Sequence, residues 1–241
     1  MVRVEWRDRV VVVTIDRPER RNAVDHATLL ELLDAQRSAV VGGARVVVLT
    51  GAPPAFCAGA DLTGVESGAF TDALLAVLTG FTALPMVTMA AIDGPALGAG
   101  TQLAMACDLR VAAPTSQFGI PAAKLGLAVD RWTVDRAGRE FGGAVARSML
   151  LAAQTYTAEE LHHSGGVQRL GGAAEALVWA EQIAELAPLT IRAHKLALET
   201  PAPLVGDDPF EAARSAAWAS SDAEEGRRAF LDKRRPRFTG E

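Results

Sequence analysis

The chain is poor in cysteine. It has two, Cys57 and Cys107, fifty residues apart, a spacing that supports neither a disulfide framework nor a zinc site. A reducing, cytoplasmic setting is expected, with no metal ligand set. Basic charge is not in excess either. Lys and Arg number 24 against 29 Asp and Glu, a net charge of −5, which argues against nucleic acid as a bulk partner. A local basic site for a phosphorylated ligand remains open. No run of about 18 apolar residues occurs, so no membrane-spanning helix is expected. The opening M-V-R-V-E-W-R-D-R-V is charged before it turns strand-like, which is not the pattern of a secretory leader. Low-complexity tracts and strong internal repeats are missing too.

What is present is ordinary for a globular chain: 241 residues, 49% hydrophobic and 22% charged. That length fits one large domain, or one with a small appendage, and can bury a sizeable core. Residues 2–6 and 10–15 read as strands joined by Arg7-Asp8-Arg9. A basic turn, D-R-P-E-R-R-N, follows. Leu29, Leu30, Leu33, Ala35 and Val40 recur at helical spacing through 26–40, and Gly42-Gly43 ends that helix. Strands are predicted at 45–50, 86–92, 108–112 and 116–118, and helices at 69–83 and 99–106. From about residue 130 the pattern is mainly helical, with a break at Gly165-Gly166. Strand–helix alternation before a helical tail predicts an α/β core with a C-terminal helical region.

Two segments share one design. R-V-V-V-L-T leads into F-C-A-G-A-D-L, and a later strand leads into D-G-P-A-L-G-A-G. Small side chains let a ligand approach the backbone, and a helix start offers unpaired N–H groups under a favourable dipole. Two such loops facing each other can aim two donors at one carbonyl oxygen, an oxyanion hole for a thioester enolate. The alternative is that the glycines only serve tight turns and close packing.

Taken in order, these stretches resemble the crotonase (enoyl-CoA hydratase/isomerase) family. The resemblance rests on I-D-R-P-E-R-R-N-A-V, F-C-A-G-A-D-L, I-D-G-P-A-L-G-A-G-x-x-L-A-M-A-C-D, F-G-I-P-x-x-K-L-G-L and F-L-D-K-R-R-P-R-F. It implies a ClpP-like spiral of ββα units over residues 1–190 and a C-terminal helical trimerisation region over 191–241. It also implies acyl-CoA as ligand, no further cofactor, and a homotrimer or a dimer of trimers. The oxyanion donors implied are the backbone N–H groups of Ala58 and Ala99, where the family usually has glycine at the second position. Ala60 is expected beside the adenine, with Leu62 and Gly98 also in the binding loops. Asp61 is expected to shape its loop rather than do chemistry.

Family hydratases use two glutamates, one to activate water and one to handle the α-carbon proton, because each must exchange a proton near neutral pH. The resemblance puts Gln102 at the first position and Ala122 at the second. Gln102 can hydrogen-bond but is no base, and Ala122 offers nothing polar. A Gly-Gly pair of the family is replaced by Trp132 and Thr133. The Trp132 indole would crowd out a catalytic water and wall an acyl chain, or else turn into the core or a subunit interface. Asp130 stands in G-L-A-V-D, where some family isomerases and dehalogenases carry a catalytic aspartate. It is also a favoured cap for a helix over 131–140, and both roles stay open. Lys124 is expected at the surface. Arg20 and Lys233 correspond to positions near CoA in relatives, and each reads equally as solvated surface charge.

The resulting expectation is a fatty acyl-CoA binding member of the family with hydration lost. It is similar to a mycobacterial branch that lacks both glutamates and is linked to acyl-CoA delivery for mycolic acid synthesis, with fatty acid synthase components as partners. By family label it would be a lyase of fatty acid metabolism. The competing expectation is an active isomerase using Asp130 as acid/base. A weaker third is a protein–protein interaction subunit.

Overall fold

The computed structural model describes residues 1–61, 68–200 and 209–241. Strand β1 (Val2–Arg7) folds back antiparallel on β2 (Val10–Ile15). Helix α1 (His26–Val41) starts at Asp25, whose carboxylate accepts the Thr28 N–H at 2.8 Å. It is followed by β3 (Val46–Gly51), α2 (Gly68–Ala83), β4 (Val87–Ile92), β5 (Ala96–Leu97) and α3 (Ala99–Ala106). Next come β6 (Leu109–Ala112), β7 (Gln117–Gly119), α4 (Arg131–Phe141) and α5 (Gly143–Leu151). The chain ends through β8 (Tyr156–Thr157), α6 (Ala158–His163), β9 (Arg169–Leu170), α7 (Ala173–Ala184), α8 (Pro188–Glu199), α9 (Pro209–Ala219) and α10 (Ser221–Leu231).

Two sheets result. The large one runs β1-β2-β3-β4-β6-β9 and is parallel after its first pair. The small one runs β5-β7-β8 and is extended by single bridges from Val24 to Ala60 and from Cys57 to Ala96. Each turn of the chain therefore lays one long strand in the large sheet and one short rung in the small one. The central strands read V-V-V-L and M-A-A-I because both faces are covered. Val47, Leu49, Ala90 and Ile92 pack with α1, α2 and α3, while Val46, Val48, Met89 and Ala91 pack against α7.

All eight residues of α3 are buried, so its unpaired C-terminal carbonyls need partners inside the protein. Two buried arginines supply them. The Arg110 guanidinium donates to the Ala104 and Cys107 carbonyls at 3.2 and 2.9 Å, and Arg136 Nε donates to that of Met105 at 2.8 Å. Glu140 pairs with Arg110 at 2.6 Å and Arg136 with Glu199 at 2.6 Å, which ties α3, α4 and α8 together. Lys195 of α8 donates to the Phe81 and Met86 carbonyls and to Asp108 at 2.8 Å. The expected division at residue 190 falls inside α8, which is thus anchored to the spiral. No helix among the described residues is long and apolar enough to cross a membrane.

Candidate functional site

The two small-residue loops lie side by side. Cys57 N–H donates to the Pro95 carbonyl at 3.1 Å, and Leu97 N–H returns a bond to the Cys57 carbonyl at 2.9 Å. Glycine makes the approach possible. Gly98 has φ +54°, and a β-carbon there would lie 3.7 Å from the Gly59 Cα. Gly59 itself has φ +121°. Behind the first loop, buried Asn22 donates to the Ala52 and Ala55 carbonyls at 2.6 Å each and accepts Arg17 N–H at 2.9 Å. Arg17 reaches Asp25 at 2.8 Å and Asp61 at 3.4 Å. Burial alone would raise the Asp25 pKa, but the Thr28 hydrogen bonds and the Arg17 charge outweigh it, so the carboxyl is held below its ordinary value. Burial pushes the Cys57 thiol up to about 12, which keeps it protonated and unreactive.

The two expected donors differ. Ala99 is the first residue of α3, whose start has no side-chain cap, and no hydrogen bond among the described residues engages its N–H. Ala58 N–H already donates to the Arg21 carbonyl at 3.0 Å. Arg21 and Asn22 both hold positive φ, 50° and 59°, which turns that carbonyl toward the loop.

One turn into α3, Gln102 is 5% exposed. Its Nε2 donates to Thr133 Oγ1 at 2.6 Å and lies 3.5 Å from Asp130 Oδ2. The Thr133 hydroxyl donates to Asp130 Oδ2 at 2.8 Å, and the Thr133 N–H donates to Asp130 Oδ1 at 2.9 Å. Asp130 is thus the cap of α4 and the end of a hydrogen-bond chain that begins at Gln102. Thr133 was not singled out from sequence as a ligand of anything. Its signal was there: it is the third residue of a helix opened by an aspartate, where a cap receives its bond.

The family model for enoyl-CoA hydratase/isomerase matches residues 5–241. The chain belongs to the enoyl-CoA hydratase/isomerase (crotonase) family. A relative from Mycobacterium tuberculosis (strain CDC 1551 / Oshkosh), named Probable enoyl-CoA hydratase echA6, is 43% identical over 248 residues, covering 100% of each chain. The protein of the same name from Mycobacterium leprae (strain TN) is 39% identical over 246 residues, again covering 100% of each. A crystal structure of an enoyl-CoA hydratase/isomerase family protein from Hyphomonas neptunium has TM-score 0.91 and 28% identity, covering 100% of this chain and 98% of that one. The mixed α/β spiral with C-terminal helices is therefore the crotonase fold.

Within this crotonase frame the remaining expected positions are spread out. Ala122 lies in a short 3-10 turn at 121–125, half-buried, its methyl packed against the main core. Trp132 is also half-buried and packed on that core, and it lines a cavity of about 810 Å³ with Val40, Leu84, Pro85, Arg139 and Leu196. The indole thus meets both the core and an open cavity. Ala60 is bridged to Val24, and Leu62 lies outside the described residues. Arg20 and Lys233 are exposed, on the turn after β2 and just after α10. Lys124 is exposed and forms no ion pair among the described residues. Nor is any group of three or more His, Cys, Asp or Glu side chains among them placed to hold a metal ion.

Proposed function

We propose that this crotonase-family chain binds fatty acyl-CoA thioesters and has given up hydration. The observation that carries the reading is the commitment of Gln102. Both hydrogens of its amide face Thr133 and Asp130, so the group in the hydratase position neither exchanges a proton nor turns a donor toward water. Ala122 leaves the second position without a polar atom. Losing one acid/base group costs roughly 10²–10⁴ in rate, and two losses leave hydration negligible. The grip remains. Ala99 N–H stands at a helix start with a favourable dipole, ready for a thioester oxygen, and Ala58 N–H can join it by exchanging its bond to Arg21.

The setting we propose is fatty acid metabolism, with mycolic acid synthesis and fatty acid synthase components, as the sequence resemblance implies. The assembly we propose is a trimer or dimer of trimers, to which the exposed Trp218, Phe230 and Leu231 of the C-terminal helices would contribute apolar surface. Arg20 and Lys233 would then meet the CoA phosphates.

A second reading keeps Asp130 as the acid/base of an isomerase. Its favouring observation is that the carboxylate lies within the Gln102 cluster. Against it, both Asp130 oxygens already accept from Thr133, which commits the carboxylate to capping α4. One experiment separates the two. The protein is incubated with crotonyl-CoA and a longer enoyl-CoA while hydration and double-bond migration are both followed. Tight binding without turnover is expected; migration abolished by Asp130→Asn would overturn the binding reading.

A further inference from the structure

We infer that β1 is a self-pairing edge. A second copy of this chain docks on it as an antiparallel strand about a two-fold axis at Val4, with Arg3 of each copy opposite Glu5 of the other. The inference concerns the outer edge of the large sheet and stands independently of the thioester-binding reading above.

The edge is open, and its hydrogen-bonding groups can be placed. β1 is the terminal strand of the large sheet, and every residue of it after Val2 is exposed. Residues of an antiparallel pair alternate between those that bond across the pair and those that turn N–H and C=O away. The Asp16 N–H donates to the Met1 carbonyl at 2.9 Å, one step beyond the Val2–Ile15 pair. Arg3, Glu5 and Arg7 therefore bond to β2, while Val2, Val4 and Trp6 turn outward. The Val2 N–H agrees, for it leaves the sheet and donates to Glu31 Oε2 at 2.5 Å. Val4 and Trp6 lie past that cover. α1 runs beside their side chains: Glu31 stands by Val2, and a β-carbon on Gly42, at the helix end, would meet the Trp6 ring at 2.2 Å. Val4 and Trp6 are each 41% exposed, an apolar strip beside an unpaired ladder.

The charges choose the partner and the register. Only Val2, Val4 and Trp6 can bond outward, so a docking copy must set these positions opposite one another. A one-residue slip sets an outward residue against an inward one. Centred on Glu5, the pairing would oppose Glu5 to Glu5 and Arg3 to Arg7. Centred on Arg3, it would oppose Arg3 to Arg3 and leave Trp6 without a partner. Centred on Val4, it sets Arg3 against Glu5 and Val2 against Trp6, each twice, and Val4 against itself. Opposite charges and aromatic with β-branched side chains stabilise a cross-strand pair, and like charges destabilise it. The charged pairs also fall at the non-bonded positions of the new junction, where opposed side chains come closest. Arg3 already holds Asp16 and Glu5 already holds Arg7, each at 2.8 Å, and exposed ion pairs add little affinity. The charges therefore select the register, while the ladder and the apolar strip hold it. The Val2 N–H trades Glu31 for the Trp6 carbonyl of the copy. Charge on an edge strand ordinarily keeps other chains away; here the signs alternate so that the strand accepts its own reverse. The contact is isologous and closes after two copies.

The test is the particle mass of the full chain in solution, measured by sedimentation equilibrium over a range of concentrations. Val4→Pro removes the central outward N–H and leaves the bonds to β2 in place. Its mass should be about half that of the wild type, whatever assembly the C-terminal helices make. Arg3→Glu opposes carboxylates in the inferred register, so the dissociation constant of this step should rise several-fold. Adding Glu5→Arg restores opposite charges and should recover the wild-type constant. Circular dichroism checks that each variant folds, and should Val4→Pro fail to, the charge series carries the test. An unchanged mass in folded Val4→Pro overturns the self-pairing edge. Association strengthened or unmoved by Arg3→Glu, or not recovered in the double variant, overturns the register. Either failure leaves the thioester-binding reading standing, since no residue of β1 belongs to that site.

Discussion

Gly100 lies against the carbonyl of Cys57, and a β-carbon built on it would meet that oxygen at 2.1 Å. This contact fixes how closely α3 approaches the first loop, and hence the spacing of the Ala58 and Ala99 N–H groups. Gly100→Ala forces the two loops apart. The expected cost is about 1–3 kcal/mol from overpacking, read as a lowered melting temperature. The accompanying loss of acyl-CoA affinity should exceed what the stability change explains.

Gln102→Glu sets a carboxylate beside Asp130, where the amide now lies at 3.5 Å. Two like charges at that range cannot both ionise without cost, so one carboxyl is raised. A group raised in the folded state stabilises it at low pH and loses that contribution as pH rises through the raised value. The variant is therefore expected to weaken, relative to the wild type, between mildly acid and neutral pH. Denaturant titration at several pH values checks this. Hydration of crotonyl-CoA should stay negligible, since Ala122 is still without a carboxyl.

Asp25 gives the opposite sign. Its carboxyl is held below its ordinary value, so its contribution is present above the unfolded pKa and lost as pH falls through the folded one. Asp25→Asn should therefore lower stability at neutral pH and converge with the wild type in strong acid. Acid-unfolding curves followed by circular dichroism would show the two lines meeting.

Lys195 and Asp108 form a buried pair at 2.8 Å, and the same Asp108 oxygen accepts from Thr88. Lys195→Met removes one partner and strands the other, a loss of about 3–5 kcal/mol. Thermal unfolding should show it. Adding Asp108→Asn should recover part of the loss, because the stranded charge is gone.

Much of this architecture is legible in the chain itself. The strands at 46–51 and 87–92 were readable because burial on both faces demands an uninterrupted apolar run. The start of α3 was readable because a Gly-rich loop before a helical pattern has few other uses. The facing of the two loops was not, since the bonds joining Cys57 to Pro95 and Leu97 span some forty residues. The two-residue strands β8 and β9 carry too few side chains to show a period. Gln102 could be noticed as an amide, but its orientation depends on Asp130 and Thr133, which only folding brings to it. The Ala58 bond to Arg21 was equally hidden, because a backbone carbonyl leaves no mark in the identity of its residue.

On the proposed thioester grip, the Ala58 bond to Arg21 sets how a ligand would be held. An oxygen arriving at Ala58 meets a donor already satisfied at 3.0 Å by Arg21, so capture there is an exchange of one acceptor for another. The gain at Ala58 is the difference between two bonds of the same kind. At Ala99 no internal acceptor among the described residues has to leave. The two halves of the proposed grip would thus be unequal: one arm is open at rest, and the other must first let go of its own chain.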